Sequence, residues 1–337
     1  MKNRISWIDI VKGLCVLTVV VHHAHFIVSG DYPIWGYNWL NGIIIGFFMS
    51  AFFVITGYCS NFNLPCIPFL WKNLKTIIVP CFCLYYLNHW IEDAKSFFFY
   101  DADWITWSHF FSPGIHTFIR EGGYYWFLIA LFLAKMLYYV FNRFIKNPPA
   151  IIIVSLFLLL LAVVSAHLDQ VPNYFYWQQA MILAPYLPIG VLLKEHGDII
   201  KSKGWVSLSL YVFFISLFVL MGKSIPSVTR TIDISVLTIP VYLFLSLTGT
   251  MAIWWLSQII GKSHLLEYFG KNTLIIYTLN FSVLGLVSTF LFTIYEPQNA
   301  LTFNLMFWLT IIISIVILSF LSLLLNVKYV RFVLGKF

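Results

Sequence analysis

Long uninterrupted apolar runs organise this chain, not alternation and not amphipathic stripes. Ten of them approach or reach the roughly 17–23 residues that cross a bilayer as helix. Their approximate limits are 8–28, 39–60, 74–91, 124–141, 150–167, 179–193, 205–221, 234–256, 273–294 and 304–326. No linker, low-complexity tract, internal repeat or soluble appendage separates them. The pattern predicts an all-α polytopic membrane protein, one bundle of about ten transmembrane helices in a single domain over residues 1–337. Composition agrees: 61% of residues are hydrophobic and only 10% charged, outside the range of soluble domains. The longest connection, about 92–122, is rich in aromatics (Trp104, Trp107, Phe110, Phe111) and histidines (His109, His116). It reads as an interfacial helix or a substrate-facing lid.

Charge sets the expected orientation. Of the 20 Lys and Arg, all but Lys95, Arg120, Lys135, Lys223 and Arg230 fall on the side of the two termini. Acids such as Glu92, Asp101, Glu121 and Asp233 fall on the other. The positive-inside rule then puts both termini in the cytoplasm. The net charge of +7 follows from that topology and does not point to a nucleic-acid partner, because no basic cluster is interleaved with aromatics in a soluble segment. The first run has no A-x-A cleavage pattern and reads as a retained helix. The five cysteines lie in or beside spans and read as small apolar residues. Cys81-Phe82-Cys83 has no His or acid at ligand spacing, so no metal is expected.

The first run carries candidate chemistry. Asp9 and Lys12 stand three apart and meet on one helical face. His23 follows Lys12 by eleven residues, about 20° off three full turns and roughly 16 Å along the axis. Lys12 and His23 therefore share a stripe. His22 is about 80° away and His25 about 140° away. Ionisable groups within a span are functional candidates. The plainer reading is a charge pair at the helix start with interfacial histidines.

Three further segments stand out. Phe52-Phe53-Val54-Ile55-Thr56-Gly57-Tyr58 closes the second run, with Gly57 at a point of close helix approach. Lys72 and Lys75 precede Pro80, and either grip phosphates as point charges or anchor the topology. Glu121 precedes Trp126-Phe127-Leu128 at the start of the fourth run, where a carboxylate favours a helix N-terminus.

Taken in order, these segments resemble the acyltransferase-3 family of integral membrane O-acyltransferases, nearest to its fucose 4-O-acetylase-like subgroup. The family's Asp-x-x-(Arg/Lys)-Gly element and following histidine read here as Asp9, Lys12, Gly13 and His23. Its Phe-Phe-x-Ile-Ser-Gly-Tyr is matched by Phe52 to Tyr58, with Thr56 for Ser. Its R-x-x-R is matched by Lys72 and Lys75. Its Trp-Phe-Leu is Trp126 to Leu128, and a late element matches Gly270 to Tyr277. Lysines replace arginines at 12, 72 and 75, keeping charge but losing bidentate geometry. His22 stands where relatives commonly have Gly. Asn280 stands where the late motif often ends in His.

The resemblance implies an acyltransferase acting on groups other than aminoacyl groups, an O-acetyltransferase of the bacterial cytoplasmic membrane. Acetyl-CoA would be the donor, and a sugar hydroxyl of a cell-envelope or exported glycan the acceptor. His23 would serve as general base or as an acyl relay. Asp9 would pair with Lys12 and hold it. Lys12, Lys72 and Lys75 would meet CoA phosphates, Lys12 marking the cytoplasmic end of a tunnel that reaches His23. Glu121 would orient His23 as a triad carboxylate does. Trp126, Tyr277 and Asn280 would contact the acceptor. The rival reading is a transporter or flippase for a lipid-linked glycan. Against it stand the lack of acids in mid-span and of an inverted repeat.

Overall fold

The computed structural model describes residues 5–28, 30, 32–100, 125–168, 171–196, 198–228 and 233–335. Among these the elements are all helical. They are α1 (Ser6–Ile27), α2 (Tyr37–Ile45), α3 (Phe48–Cys59), α4 (Cys66–Asn73), α5 (Val79–Phe99), α6 (Trp126–Phe144), α7 (Pro148–Ala166), α8 (Trp177–Leu183), α9 (Tyr186–His196), α10 (Asp198–Leu220), α11 (Ile239–Ile260), α12 (His264–Lys271), α13 (Thr273–Ile294) and α14 (Ala300–Leu325). Nine helical segments among the described residues are long and apolar enough to cross a membrane. The protein is a polytopic, multi-pass membrane protein. In a bilayer each span must satisfy its own backbone, and helices do so internally.

Two expectations change. The expected span 179–193 is not one helix. It is broken between α8 and α9 at Ala184-Pro185, where Pro185 has no N–H to continue the ladder. The third span is longer than expected: α4, a π-helical turn over Leu74–Ile78 and α5 follow without a gap, from Cys66 to Phe99. Pro80 cannot donate the usual i→i−4 bond, and the turn before it opens to the wider π pattern. The helix thus occupies the first part of the predicted loop, and residues 101–124 lie outside those described.

The chain divides into two compact units, interleaved in sequence. The first comprises 1–15, 38–73 and 126–271. Its helices meet at glycines. A Cβ on Gly57 of α3 would stand 2.1 Å from the Leu187 carbonyl oxygen of α9, and one on Gly190 would stand 1.9 Å from that of Val54. The expected close approach at Gly57 is thus a backbone-to-backbone crossing. α1 meets α12 likewise: a Cβ on Gly13 would lie 2.1 Å from Leu266 O, and one on Gly270 1.8 Å from Asp9 O. Both partners are backbone and cannot swing aside. Gly270→Ala should therefore lower stability by about 1–3 kcal/mol, the usual cost of overpacking, read as a lower melting temperature in detergent. An unchanged melt would mean that the crossing is not tight. Where α2 gives way to α3 at Gly46-Phe47, Tyr211 of α10 donates its hydroxyl to the Ile43 carbonyl at 2.6 Å, satisfying a group that the break exposes.

The second unit comprises 16–37, 74–125 and 272–337. In it α13 packs between α5 and α14, and the C-terminal turn Arg331–Leu334 rests against α5.

Candidate functional site

The apolar run from Ser6 to Ile27 forms one unbroken helix, so the predicted stripe of Lys12 and His23 is a feature of α1 itself. His23 lies in the second unit and points to α13. Its Nδ1 is 2.6 Å from Oδ1 of Asn280. Asn280 is fully buried, and its Nδ2 donates to the Tyr277 carbonyl at 2.5 Å. That bond fixes the amide. Turned over, it would set its oxygen against another oxygen. Oδ1 therefore faces His23, and the imidazole must donate from Nδ1–H. Nε2 is left with the lone pair, the form that a base or nucleophile needs. Because Asn280 is neutral, it orients the ring without adding a charge beside it. The edge of Phe281 packs against the His23 ring at 5.7 Å between centroids.

A buried polar network supports the turn of α13 that carries Asn280. Asn88 of α5 donates Nδ2 to the Thr278 carbonyl at 2.8 Å and also to the Tyr125 hydroxyl. That hydroxyl reaches the carbonyls of Leu84 and Thr278 at 3.1 and 3.2 Å. Three segments of the second unit are thereby tied two residues from Asn280.

The neighbouring histidines differ in setting. His22 is 4% exposed and meets Phe26 edge-on at 4.9 Å. His25 stacks on Tyr37 at 3.6 Å. Both rings are engaged in aromatic packing.

Other predicted residues take different places. The position beside Nδ1, where a carboxylate such as Glu121 was expected, is held by Asn280; Glu121 lies outside the described residues. Tyr277 is 3% exposed, and what it contributes at Asn280 is its backbone carbonyl. Trp126 begins α6, half-buried in the first unit. Asp9 and Lys12 do not pair. Ion pairs join Lys95 to Glu92 and Lys271 to Glu267. Asp9 is 2% exposed on the side of α1 that crosses α12, while Lys12, 60° round the helix, stays half-buried. The crossing is fastened instead by Ser6, whose hydroxyl donates to Glu267. That bond, then Lys271, holds the Glu267 carboxyl below its ordinary value against some desolvation. Lys72 is exposed near the end of α4, and Lys75 is half-buried within the π turn.

The sequence offers Asn280 as an acceptor contact, and the structure adds its bond to His23 Nδ1. Sequence reasoning passed over Asn88 and Tyr125. The one available signal was the place of Asn280 at the end of the late motif, three residues after Tyr277.

A family model described as an acyltransferase domain matches residues 5–324. The chain belongs to the acyltransferase-3 family. Neither a curated protein nor a solved structure matches it. The matched span contains both partners of the His23–Asn280 pair, so the pair lies inside the acyltransferase domain.

Proposed function

We propose that this membrane acyltransferase moves an acetyl group from cytoplasmic acetyl-CoA to a sugar hydroxyl of a cell-envelope or exported glycan. The fucose 4-O-acetylase-like members are the nearest functional parallel, and the bacterial cytoplasmic membrane is the setting. The observation that carries the reading is the His23 imidazole, presented on a membrane helix with Nδ1 committed to Asn280 and Nε2 available.

Two routes use that nitrogen. As a base, Nε2 takes the proton of the sugar hydroxyl while its oxygen attacks the thioester carbon. The C–S bond breaks, and the CoA thiolate recovers the proton. As a relay, Nε2 itself attacks the thioester and expels CoA, and the acyl-imidazole then passes its group to the hydroxyl. Lys12, Lys72 and Lys75 serve the donor's phosphates, and Trp126 the acceptor.

The test is transfer of radiolabelled acetyl from acetyl-CoA to sugar acceptors by the purified protein in vesicles, with label found as a sugar ester. Label that never leaves acetyl-CoA across a panel of envelope glycans would defeat the proposal. Replacing Lys72 and Lys75 together by Gln should raise the KM for acetyl-CoA about tenfold or more, and added salt should weaken the wild-type KM as well, because the contacts are between charges. An unchanged KM would leave both lysines as topology anchors.

A further inference from the structure

The chain continues past the matched acyltransferase domain, which ends at residue 324. Directly after α14 it closes into three successive tight turns. The Val330 N–H donates to the Val327 carbonyl, that of Val333 to Val330, and that of Gly335 to Phe332. With such i→i+3 bonds, side chains three apart lie one above the other. Lys328 and Arg331 therefore share one side, and Tyr329 and Phe332 the side next to it. All four are exposed, Tyr329 at 83% and Phe332 at 52%. Residues 297–337 contain no Asp or Glu.

The second unit holds this segment at both ends. At its start, Asn326 donates Nδ2 to Oδ1 of Asn272, just before α13, at 2.9 Å. At its finish, Leu334 is buried, and Gly335 sits on the π-helical turn that precedes α5. A Cβ on Gly335 would stand 1.8 Å from the Lys75 carbonyl oxygen. Gly335 also has φ +66, a conformation that glycine adopts without strain. The backbone is thus fixed against the protein, while Lys328, Tyr329, Arg331 and Phe332 project outward. A frayed end has no such ties.

The chemistry of the four side chains selects the occupant. The two cations need an anion, and the two rings need a medium less polar than water. The headgroup layer of an anionic bilayer supplies both. Its phosphates attract Lys and Arg, and aromatic rings settle at the membrane–water boundary. The segment begins two residues past Leu325, the end of the membrane-spanning α14, where that layer lies. We propose that Lys328, Tyr329, Arg331 and Phe332 form a docking surface for anionic phospholipid headgroups. A soluble phosphate ligand would satisfy the cations and leave the rings in water. The surface lies outside the matched domain and is independent of the acceptor proposed above.

The test is native mass spectrometry of the full chain, released from micelles that hold equal amounts of phosphatidylglycerol and phosphatidylcholine. Wild type should retain phosphatidylglycerol in preference. Lys328→Gln with Arg331→Gln should reduce that preference about thirtyfold, at about fivefold for each cation near an anionic surface. Gly335→Ala keeps every cation but displaces the segment from Lys75, and should lower the preference as well. Lys223→Gln removes an exposed cation elsewhere, after α10, and should leave the preference unchanged. The Lys and Arg variants should melt as wild type does in lipid-free detergent, which separates lost binding from lost fold. Four results overturn the proposal. Wild type retains the two lipids equally. The double Gln variant keeps the wild-type preference. Gly335→Ala keeps it too, so that charge alone attracts the lipid and the fold builds no surface. Or CoA displaces phosphatidylglycerol from wild type and not from the double variant, which assigns both cations to the donor.

Discussion

His23→Ala is expected to abolish acyl transfer, whereas His22→Ala keeps most of it. The two rings are adjacent in sequence and both sit on α1, so composition and local hydropathy do not separate them. Their partners do. His23 donates Nδ1–H to a buried amide oxygen at 2.6 Å and keeps Nε2 as a lone pair, while His22 is 4% exposed and packed against Phe26. Loss of a general base costs about 10²–10⁴-fold, or about 2.7–5.5 kcal/mol of barrier at 1.36 kcal/mol per tenfold. If the ring is acylated, the loss is complete. The His22 variant should lose packing and some stability but little rate. The reverse pattern, with an active His23→Ala and an inactive His22→Ala, would overturn the assignment of the reacting histidine.

The second large effect is expected at Asn280. It touches neither donor nor acceptor in the proposed mechanism and acts through the imidazole. Asn280→Leu is close to isosteric but has no oxygen for Nδ1–H and no donor for the Tyr277 carbonyl. The ring is then free to rotate and to take the other tautomer. Misplacement of a reacting group on this scale costs about 10²-fold. The expected signature is a kcat about 10² lower, with the KM for acetyl-CoA nearly unchanged and the folded protein recovered in normal yield. A purely structural role would instead reduce yield and melting temperature while leaving the kcat of the surviving protein intact. An Asn280→Leu protein with wild-type kcat would remove Asn280 from the mechanism.

Asn88 and Tyr125 stand one step further out from the imidazole. Both are buried, and both hold the Thr278 carbonyl, so they support the turn from which Asn280 projects.

The amino-acid sequence by itself determined the membrane character and nearly all the spans. A spanning helix closes its backbone hydrogen bonds within its own segment, so its existence depends only on a local apolar run. The expected span 273–294 and the observed helix Thr273–Ile294 coincide for this reason. The shared stripe of Lys12 and His23 was legible because helical periodicity needs no partner. The breaks were less legible, as at Gly46-Phe47 between α2 and α3 and at two prolines. Pro185 broke an expected span, and Pro80 introduced a π turn, because each removes a donor whose neighbours then rearrange according to what packs around them.

Tertiary structure alone decided what these side chains do. His23 and Asn280 are 257 residues apart in sequence, and no spacing rule joins them. Gly13 and Gly270 gained their meaning when two backbones crossed. Asp9 is buried where α1 crosses α12, while Lys12 stays half-buried. In each case the outcome depends on which faces meet, and that follows from packing between distant segments.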